Sequence, residues 1–586
     1  MKQFQIIYRD DESFHAELDA IQQWCDTNPA YNIVFRIYSG SMERERVQHV
    51  CDILNAKLPN AMYLGCTTNA NIIEGALADA EITMTCTIFE RETTRVKLMQ
   101  LPFSEQSARG VVRILKAYCD ANPWIKAVEL HAAILGMSLR GFCDEMRALR
   151  EDIQVFGGGA CNPNPNYLAS GVFSKGNGFT EHGIVFLLLG GEDFYAHGTY
   201  IAGWKPLKRK FKVTKAHRQI LYELDGKPAS HIYQRFLSID KNDQLITNTL
   251  EFPLFMDHNG INVLRCPLGF NEDDSIMLAS EVAEGTDVRL AFGDPETILH
   301  SIRLYGQEIA DFQPEVIQAF SCVARKSFWG DENVSDETML FNGVAPTSGF
   351  YTSGEFLRID GNLCNFNITL VVIGMREGAP KGDAPVNLYD AKLDNIESEE
   401  RIPLIRRFVS FIDATATELE ELNRKLALAS ITDGLTRLYK RAEIEQRLRT
   451  VLEEDTQLSL IMLDIDNFKR INDIYGHQEG DRVIIALSDV LRKAMADVPS
   501  ASIGRWGGEE FMILLPQSDI SEAVALADAI RVEFAEISYE TAGKQTVSVG
   551  VIQAKGGEDV DVLYNKVDKA LYAAKEAGKN RVVTLD

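Results

Sequence analysis

Two glycines followed by two glutamates, Gly507-Gly508-Glu509-Glu510, stand between Ala501-Ser502-Ile503 and the apolar run Phe511-Met512-Ile513-Leu514-Leu515. Glycine lets the chain bend sharply and lets a bulky ligand approach the backbone, so the segment reads as a tight hairpin carrying concentrated negative charge. Adjacent carboxylates repel unless a positive group lies between them, and a hard divalent cation with oxygen ligands suits that place. Upstream, Leu458-Ser459-Leu460-Ile461-Met462-Leu463 ends in Asp464-Ile465-Asp466. A carboxylate at the end of a buried strand beside a carboxylate hairpin is a metal-site arrangement used in nucleotidyl transfer. Alone, the hairpin would read as a solvated turn and Asp464 as a helix cap; their joint occurrence favours chemistry.

The elements around these residues must hold them. Residues 458–463 form a buried-strand pattern and 511–515 a second. Residues 467–473 turn into a helix, and an apolar helix follows through Val483, Ile484, Leu487 and Leu491. Lys575 and Lys579 are four apart, so on one C-terminal helix both would face the same way. In isolation they would read as a solvated helix face.

Residues 431–586 resemble a GGDEF-family diguanylate cyclase domain. The resemblance rests on Asp433-Gly434-Leu435-Thr436-Arg437-Leu438, Leu463-Asp464-Ile465-Asp466-Asn467-Phe468-Lys469, Asn472-Asp473 and Gly476-His477-Gln478-Glu479-Gly480-Asp481. Gly507-Gly508-Glu509-Glu510-Phe511, Ser548-Val549-Gly550-Val551, Ala570-Leu571-Tyr572-Ala573-Ala574-Lys575 and Gly578-Lys579-Asn580 complete it, in the family's order. It implies a palm-like domain with a central, mostly antiparallel sheet flanked by helices. It implies condensation of two GTP into cyclic di-GMP and two pyrophosphates with Mg²⁺ (or Mn²⁺). Asp464, the Ile465 carbonyl and Glu509 are the implied metal ligands. Glu509 is also the implied general base for the 3′-hydroxyl, and Glu510 would assist the metal ions. Asn472 and Asp481 would read the guanine edge, and His477 lies in the same ligand-contacting stretch. Gly507 and Gly508 would leave room for the α-phosphate, and Lys575 and Lys579 would meet the phosphates. Three departures are visible: Lys440-Arg441 where the family usually has Asn-Arg, Lys579 where it often has Arg, and Val498 and Ala501 in place of the product-inhibition Arg-x-x-Asp. None touches the catalytic set, so an active enzyme without that feedback site is expected.

At 586 residues the chain needs several domains. A formal charge of −25 disfavours nonspecific binding to nucleic acid or anionic membrane. The start, Met1-Lys2-Gln3-Phe4-Gln5-Ile6-Ile7, lacks a signal-peptide pattern, and Ile184-Val185-Phe186-Leu187-Leu188-Leu189 is too short to span a bilayer and reads as a buried strand. The 10 cysteines form no C-x-x-C, and Cys66, Cys86 and Cys322 sit in apolar runs. They read as reduced core thiols of a cytoplasmic protein.

The front of the chain alternates strand-like segments (61–68, 82–87, 131–136) with helical ones (43–56, 107–119), a mixed α/β pattern. Gly157-Gly158-Gly159-Ala160 permits close approach of either a ligand or a neighbouring strand. With Leu64-Gly65-Cys66-Thr67-Thr68, Gly203-Trp204-Lys205-Pro206, Leu224-Asp225-Gly226-Lys227-Pro228-Ala229, Phe320-Ser321-Cys322-Val323-Ala324-Arg325, Gly349-Phe350-Tyr351-Thr352-Ser353-Gly354-Glu355 and Asn367-Ile368-Thr369-Leu370, the series resembles the two-part FIST sensory module. That resemblance implies small-ligand sensing, amino acids being a suggested class. A pocket is expected near 157–161, Arg325, Tyr351 and Glu355, with Arg325 clamping a carboxylate and Glu355 meeting an ammonium. A structural Arg–Glu pair is the alternative.

Between the modules, residues 376–385 are rich in Gly and Pro and read as a loop. Phe408, Ile412, Thr415, Leu419, Leu422, Leu426 and Ala429 then step by three and four, a heptad seam. The expected organisation is an α/β and α+β multidomain chain: sensory halves at 1–215 and 216–375, a loop linker at 376–395, a coiled-coil signalling helix at 396–430 and the cyclase domain at 431–586. A homodimer follows, because one such domain holds one GTP and the product needs two facing each other. Ligand binding would shift the paired helices and change how often the two hairpins meet. A nonturnover nucleotide switch and a cyclase for another nucleotide stay open; product analysis with GTP or ATP separates them.

Overall fold

A computed structural model describes residues 1–162, 169–237, 239, 249–258, 260–380, 384–390, 404–453, 457–496, 498, 500–555 and 557–585. It divides into two compact units, Met1–Asp413 and Ala414–Asp586.

The first unit repeats one topology three times. Strand Asn32–Ser39 leads through helix Arg44–Lys57 to the parallel strand Met62–Thr67, with Ile82–Phe89 antiparallel on the other side. Strand Ile125–Ala132 leads to the parallel Gln154–Gly159, with Gly183–Gly190 antiparallel beside it. Strand Val316–Cys322 leads through helices Val323–Asn333 and Asp336–Asn342 to the parallel Thr347–Thr352, with Leu370–Glu377 beside it. Each sheet is closed by a strand borrowed from another copy. Val172–Ser174 pairs with the first sheet, Glu355–Ile359 with the second and Asn71–Ile73 with the third. The exchange is cyclic, so no copy completes its own sheet. A nine-stranded sheet built from segments between Lys205 and Phe292 is inserted in the third copy.

The repeat settles the glycine run. A Cβ at Gly157 would lie 1.9 Å from the Leu130 carbonyl oxygen, and the same clash recurs at Gly65 with Ile37 (2.3 Å) and at Gly349 with Ala319 (1.8 Å). Backbone packing between parallel strands, not a ligand, requires these glycines.

The residue before each of those carbonyls is polar and fully buried: Arg36, Glu129 and Gln318. Arg36 Nη2 donates to Glu129 Oε2 at 2.7 Å, Nε lies 3.0 Å from both carboxylate oxygens, and Nη1 donates to Thr87. Tyr38 donates to Gln318 Oε1 at 3.3 Å. Burial alone would raise the Glu129 carboxyl; the Arg36 charge and the His131 bond overcome it and bring it to about 2. Removing one partner leaves the other charge buried and alone. Arg36→Met is therefore expected to cost about 3–5 kcal/mol, read as a lower denaturant midpoint, and Arg36→Met with Glu129→Leu to recover most of that. An unchanged midpoint in the single variant would show that the pair holds nothing.

Several boundaries differ from the sequence reading. The strand expected at 131–136 is Ile125–Ala132. The division expected at 215/216 falls inside strand Phe211–His217. Arg376 and Glu377 belong to strand Leu370–Glu377 rather than to a loop, because buried Glu377 accepts bonds from Thr94 and the Glu90 N–H. Residues 391–403, within the expected linker and the start of the helix, lie outside the described residues.

A helix, Leu404–Ile431, precedes the second sheet system. Of the expected seam, Phe408, Ile412, Leu419, Leu422 and Leu426 are all more than half exposed; the Thr415 side chain is outside the described set.

In the second unit the sheet order runs Tyr439–Lys440, Ser502–Arg505, Glu510–Pro516, Leu458–Ile465, Val547–Ala554, Val582–Thr584. The inner pairings are antiparallel and the two edge pairings parallel. Strand Leu458–Ile465 is buried along its whole length. Its alternation sorts the core: Ile461, Leu463 and Ile465 pack with the layer containing Val483, Leu487 and Ile530, whereas Leu458, Leu460 and Met462 pack with Leu448, Leu563 and Leu571. Period two then places Asp464 on the second face, the side of helix Val560–Glu576.

Candidate active site

Asp464 lies directly opposite Glu510 in one ladder and Ser548 in the other. The hairpin between Ser502–Arg505 and Glu510–Pro516 is closed by the Trp506 N–H donating to the Glu510 carbonyl at 2.8 Å. Arg505 clasps its tip, Nη2 donating to the Gly508 carbonyl at 2.6 Å, while its Nη1 reaches Asp433 at 3.2 Å. Burial would raise the Asp433 carboxyl, but the Thr436 N–H and hydroxyl and the Arg505 charge hold it below its ordinary value. Behind the hairpin, Trp506 stacks on Tyr564 at 5.1 Å, with the Arg441 guanidinium 4.6 Å from the indole centroid. The glutamates therefore ride on a braced turn.

The Ile465 N–H donates to the Glu509 carbonyl at 3.3 Å, which ties the strand end to the hairpin. Lys575, from helix Val560–Glu576, places Nζ 2.7 Å from Asp464 Oδ2. Burial raises the Asp464 carboxyl, Lys575 opposes that, and the Glu509 and Asp466 charges add to it. Glu510 is raised by burial first and then by Asp464. The carboxylates thus disfavour one another's charged forms, and a lysine ammonium already sits at the point of greatest negative charge.

This donor set fits a hard divalent cation. Among the described residues no three His, Cys, Asp or Glu side chains form a complete protein cage. Two carboxylates and a main-chain carbonyl suit an ion that keeps water and phosphate oxygens as its other ligands, which is how Mg²⁺ is held.

The remaining residues expected at the nucleotide divide. Asn472 stands on helix Phe468–Tyr475, and His477 and Asp481 lie four apart in the first turns of His477–Ala494. The helices meet at Gly476, whose φ is 84°, and the Asn472 amide lies over Gly480 so closely that a Cβ there would be 2.0 Å from Oδ1. Lys579 is not on the helix with Lys575. That helix stops at Glu576, Gly578 has φ 112°, and Lys579 sits in the left-handed region at φ 64°. Its ammonium donates to Asn467 Oδ1 instead.

Asp466 is a member of the neighbourhood that the sequence reading passed over. It accepts from the Thr546 hydroxyl (2.6 Å), the Ser548 hydroxyl (2.6 Å) and the Asn580 N–H (3.0 Å). One carboxylate thereby fixes the strand end and the turn carrying Lys579. The Asp-x-Asp spacing was its only signal in the sequence.

In the first unit the three residues expected at a ligand are all fully buried. Arg325 does not face Glu355. Its Nε donates to Glu337 Oε2 at 2.9 Å, Nη2 donates to the other Glu337 oxygen, and Nη1 donates to the Ala202 and Ile368 carbonyls at 2.6 and 3.0 Å. Trp204 stacks 5.1 Å from the guanidinium. This is the structural Arg–Glu pair, with Glu337 as the acid. Tyr351 lies near that pair, its phenol pushed well up by burial and by Glu337.

Glu355 instead accepts from the Thr352 hydroxyl at 2.6 Å. Burial pushes its carboxyl up to about 8, against Thr352, Cys322, the Thr369 N–H and Arg325, which all favour the anion. A carboxyl raised on folding binds its proton more tightly in the native state. Its contribution is present at low pH and is lost as pH rises from the ordinary value of 4.5 towards about 8. Glu355→Gln is expected to flatten the fall in stability across that window and to raise the melting temperature at pH 8 by several degrees, roughly what a few kcal/mol gives. An equally steep profile in the variant would remove Glu355 from the account.

Residues 430–581 match the family described as "Diguanylate cyclase, GGDEF domain". The C-terminal domain is a GGDEF domain. Residues 33–227 match the FIST N domain and 229–358 the FIST C domain. The chain is similar to diguanylate cyclase DgcM of Escherichia coli, 39% identical over 173 residues, covering 28% of this chain and 41% of DgcM. Diguanylate cyclase VdcA of Vibrio cholerae is 33% identical over 222 residues, covering 34% of this chain and 65% of VdcA. A crystal structure of the coiled coil and GGDEF domain of DgcB from Caulobacter crescentus, in complex with c-di-GMP, aligns at 30% identity and a TM-score of 0.30, covering 31% of this chain and all of that one. The chain thus spans 41% of DgcM and 65% of VdcA. Among the described residues no helix is long and apolar enough to cross a membrane.

Proposed function

We propose that the chain is a cytoplasmic diguanylate cyclase, acting as a homodimer and regulated by a small molecule bound to its FIST region. The observation that carries the enzymatic reading is the register of Asp464 against Glu510, with Glu509 tied to the end of the same strand. It places the acidic hairpin of the GGDEF domain and the strand-end carboxylate at one point.

Asp464, the Ile465 carbonyl and Glu509 would hold Mg²⁺ or Mn²⁺, which when bound neutralises charge on the phosphate oxygens. Gly507 and Gly508 leave the hairpin tip bare for the α-phosphate. Lys575 exchanges its Asp464 contact for the nucleotide phosphates, and Lys579, released from Asn467, meets them from the turn. Asn472 and Asp481 present an amide and a carboxylate to the guanine edge, beside His477. Glu509 takes the proton of the ribose 3′-hydroxyl, and Glu510, opposite Asp464, would assist in holding the metal ion. The 3′-oxygen then bonds to the α-phosphorus of the facing GTP as pyrophosphate leaves, and the reciprocal step closes the ring.

Each domain supplies one half of that reaction, so two must face each other. The exposed apolar stripe on helix Leu404–Ile431 supports pairing through that helix, and a change in the sensory region would alter how often the hairpins meet.

Incubating the purified full-length protein with Mg²⁺ and either GTP or ATP tests the reading. Cyclic di-GMP and pyrophosphate in a 1:2 ratio from GTP alone are expected. Linear products only, or equal turnover of ATP, would overturn it.

A further inference from the structure

The first unit holds a cavity of about 310 Å³ lined by residues from both FIST matches and from 362–365, with neither Arg325 nor Glu337 in its wall. Its size is at the lower end for small-ligand sites. Arg265 lines it and is only 6% exposed. Its Nε donates to the Glu281 carbonyl at 2.9 Å and its Nη1 to the Leu264 carbonyl at 2.9 Å. Nη2 has no acceptor, and no carboxylate lies within ion-pair distance of the guanidinium, among the described residues. Burial lowers this group to about 10, against Cys364, Cys143 and the Glu281 charge, which raise it. Of the other buried arginines, Arg36 and Arg325 each have a carboxylate, and Arg358, which has none, donates to the Gly361, Arg150, Ile153 and Leu149 carbonyls through Nε, Nη1 and Nη2.

Asn365 also lines the cavity, its side-chain amide donating to the Ser280 hydroxyl at 3.0 Å and its main-chain carbonyl accepting from Arg265 Nη1 at 3.5 Å. A buried cation with no carboxylate within ion-pair distance is costly unless a ligand completes it.

The rest of the wall narrows the chemistry. Arg140 and Arg147 share Asp144, at 3.9 and 3.5 Å, so those charges are partly satisfied. Asp257 and Glu281 add negative charge, which disfavours a dianion. Met137, Leu139, Met256 and Val263 supply an apolar lining. We infer that this cavity binds a small organic monocarboxylate, its carboxylate accepting from the Nη2 of Arg265 that no main-chain carbonyl takes, and its carbon body against the methionines. The site stands on this geometry; its effect on the cyclase rests on the sensor reading above.

Saturation-transfer NMR on the full-length protein tests it, with sodium butyrate as the probe, butyramide as its neutral isostere and inorganic phosphate as the competing anion. Butyrate is expected to receive at least about fivefold more transfer than butyramide and to be displaced poorly by phosphate, since a charge-assisted pair at a buried guanidinium is strong. Arg265→Lys should keep part of the signal and Arg265→Gln lose it. If Arg265→Gln fails to fold, Asn365→Asp supplies a fixed carboxylate to the cavity while leaving the main-chain bonds of Arg265 in place, and it too should lose the signal. Equal transfer to the amide, stronger binding of phosphate, or full signal in folded Arg265→Gln or Asn365→Asp would overturn the site. Butyrate binding that leaves the rate of cyclic di-GMP synthesis unchanged would keep the site and remove the sensor reading.

Discussion

Glu509→Gln is expected to lower cyclic di-GMP formation by at least about 10²–10³-fold, the usual scale for removing one preorganised electrostatic group. The fold should survive. The hairpin is closed by main-chain bonds and by Arg505 on the Gly508 carbonyl, and among the described residues the Glu509 carboxylate makes no hydrogen bond of its own. Asp464→Asn should be at least as severe, because it also releases Lys575 from its 2.7 Å contact. Far-UV circular dichroism and melting temperature verify the fold, and product is measured by chromatography. Raising Mg²⁺ should recover part of the Asp464→Asn activity and none of the Glu509→Gln activity if Glu509 serves as both ligand and base. Turnover of Glu509→Gln within tenfold of the unsubstituted protein would exclude it from both roles.

The second large effect concerns pairing. Leu422 and Leu426 are 53% and 59% exposed on a 28-residue helix, with Leu419 and Ile412 continuing the stripe. An exposed apolar line at heptad spacing is unfavourable in water and favourable against a copy of itself. Leu422→Glu with Leu426→Glu places like charges along that line. At micromolar protein the double variant is expected to be monomeric by light scattering and to lose activity by roughly tenfold or more, since the second half-site is no longer held at high effective concentration. Activity per chain should climb with protein concentration, whereas the unsubstituted protein should change little. A dimeric, fully active double variant would remove the seam from the mechanism.

The strand end and the turn of the candidate site were legible because their signals are local. Period-two alternation ending in Asp464, and two glycines ahead of Glu509-Glu510, are each short-range patterns that fix a strand end and a turn. Lys579 was misplaced because the stop at Gly578 competes with an apolar helical periodicity that runs almost to it, and only the φ of 112° shows which wins. Asp466 was missed because its three partners come from residues 546, 548 and 580.

By itself, the order of residues determined the chemistry offered at the C-terminal end: which carboxylates lie at a strand end and a hairpin, which residues follow on helices, and where an apolar seam runs. Only the tertiary structure decided what the buried polar residues of the first unit do. Whether Arg325 meets Glu337 or Glu355, whether glycines at 65, 157 and 349 face ligand or backbone, and which buried arginines are left without a carboxylate all depend on strands exchanged cyclically among three copies of one topology. Such pairings join residues far apart in the chain, and hydrophobic periodicity says which face of a strand is buried but not which charge it will meet there.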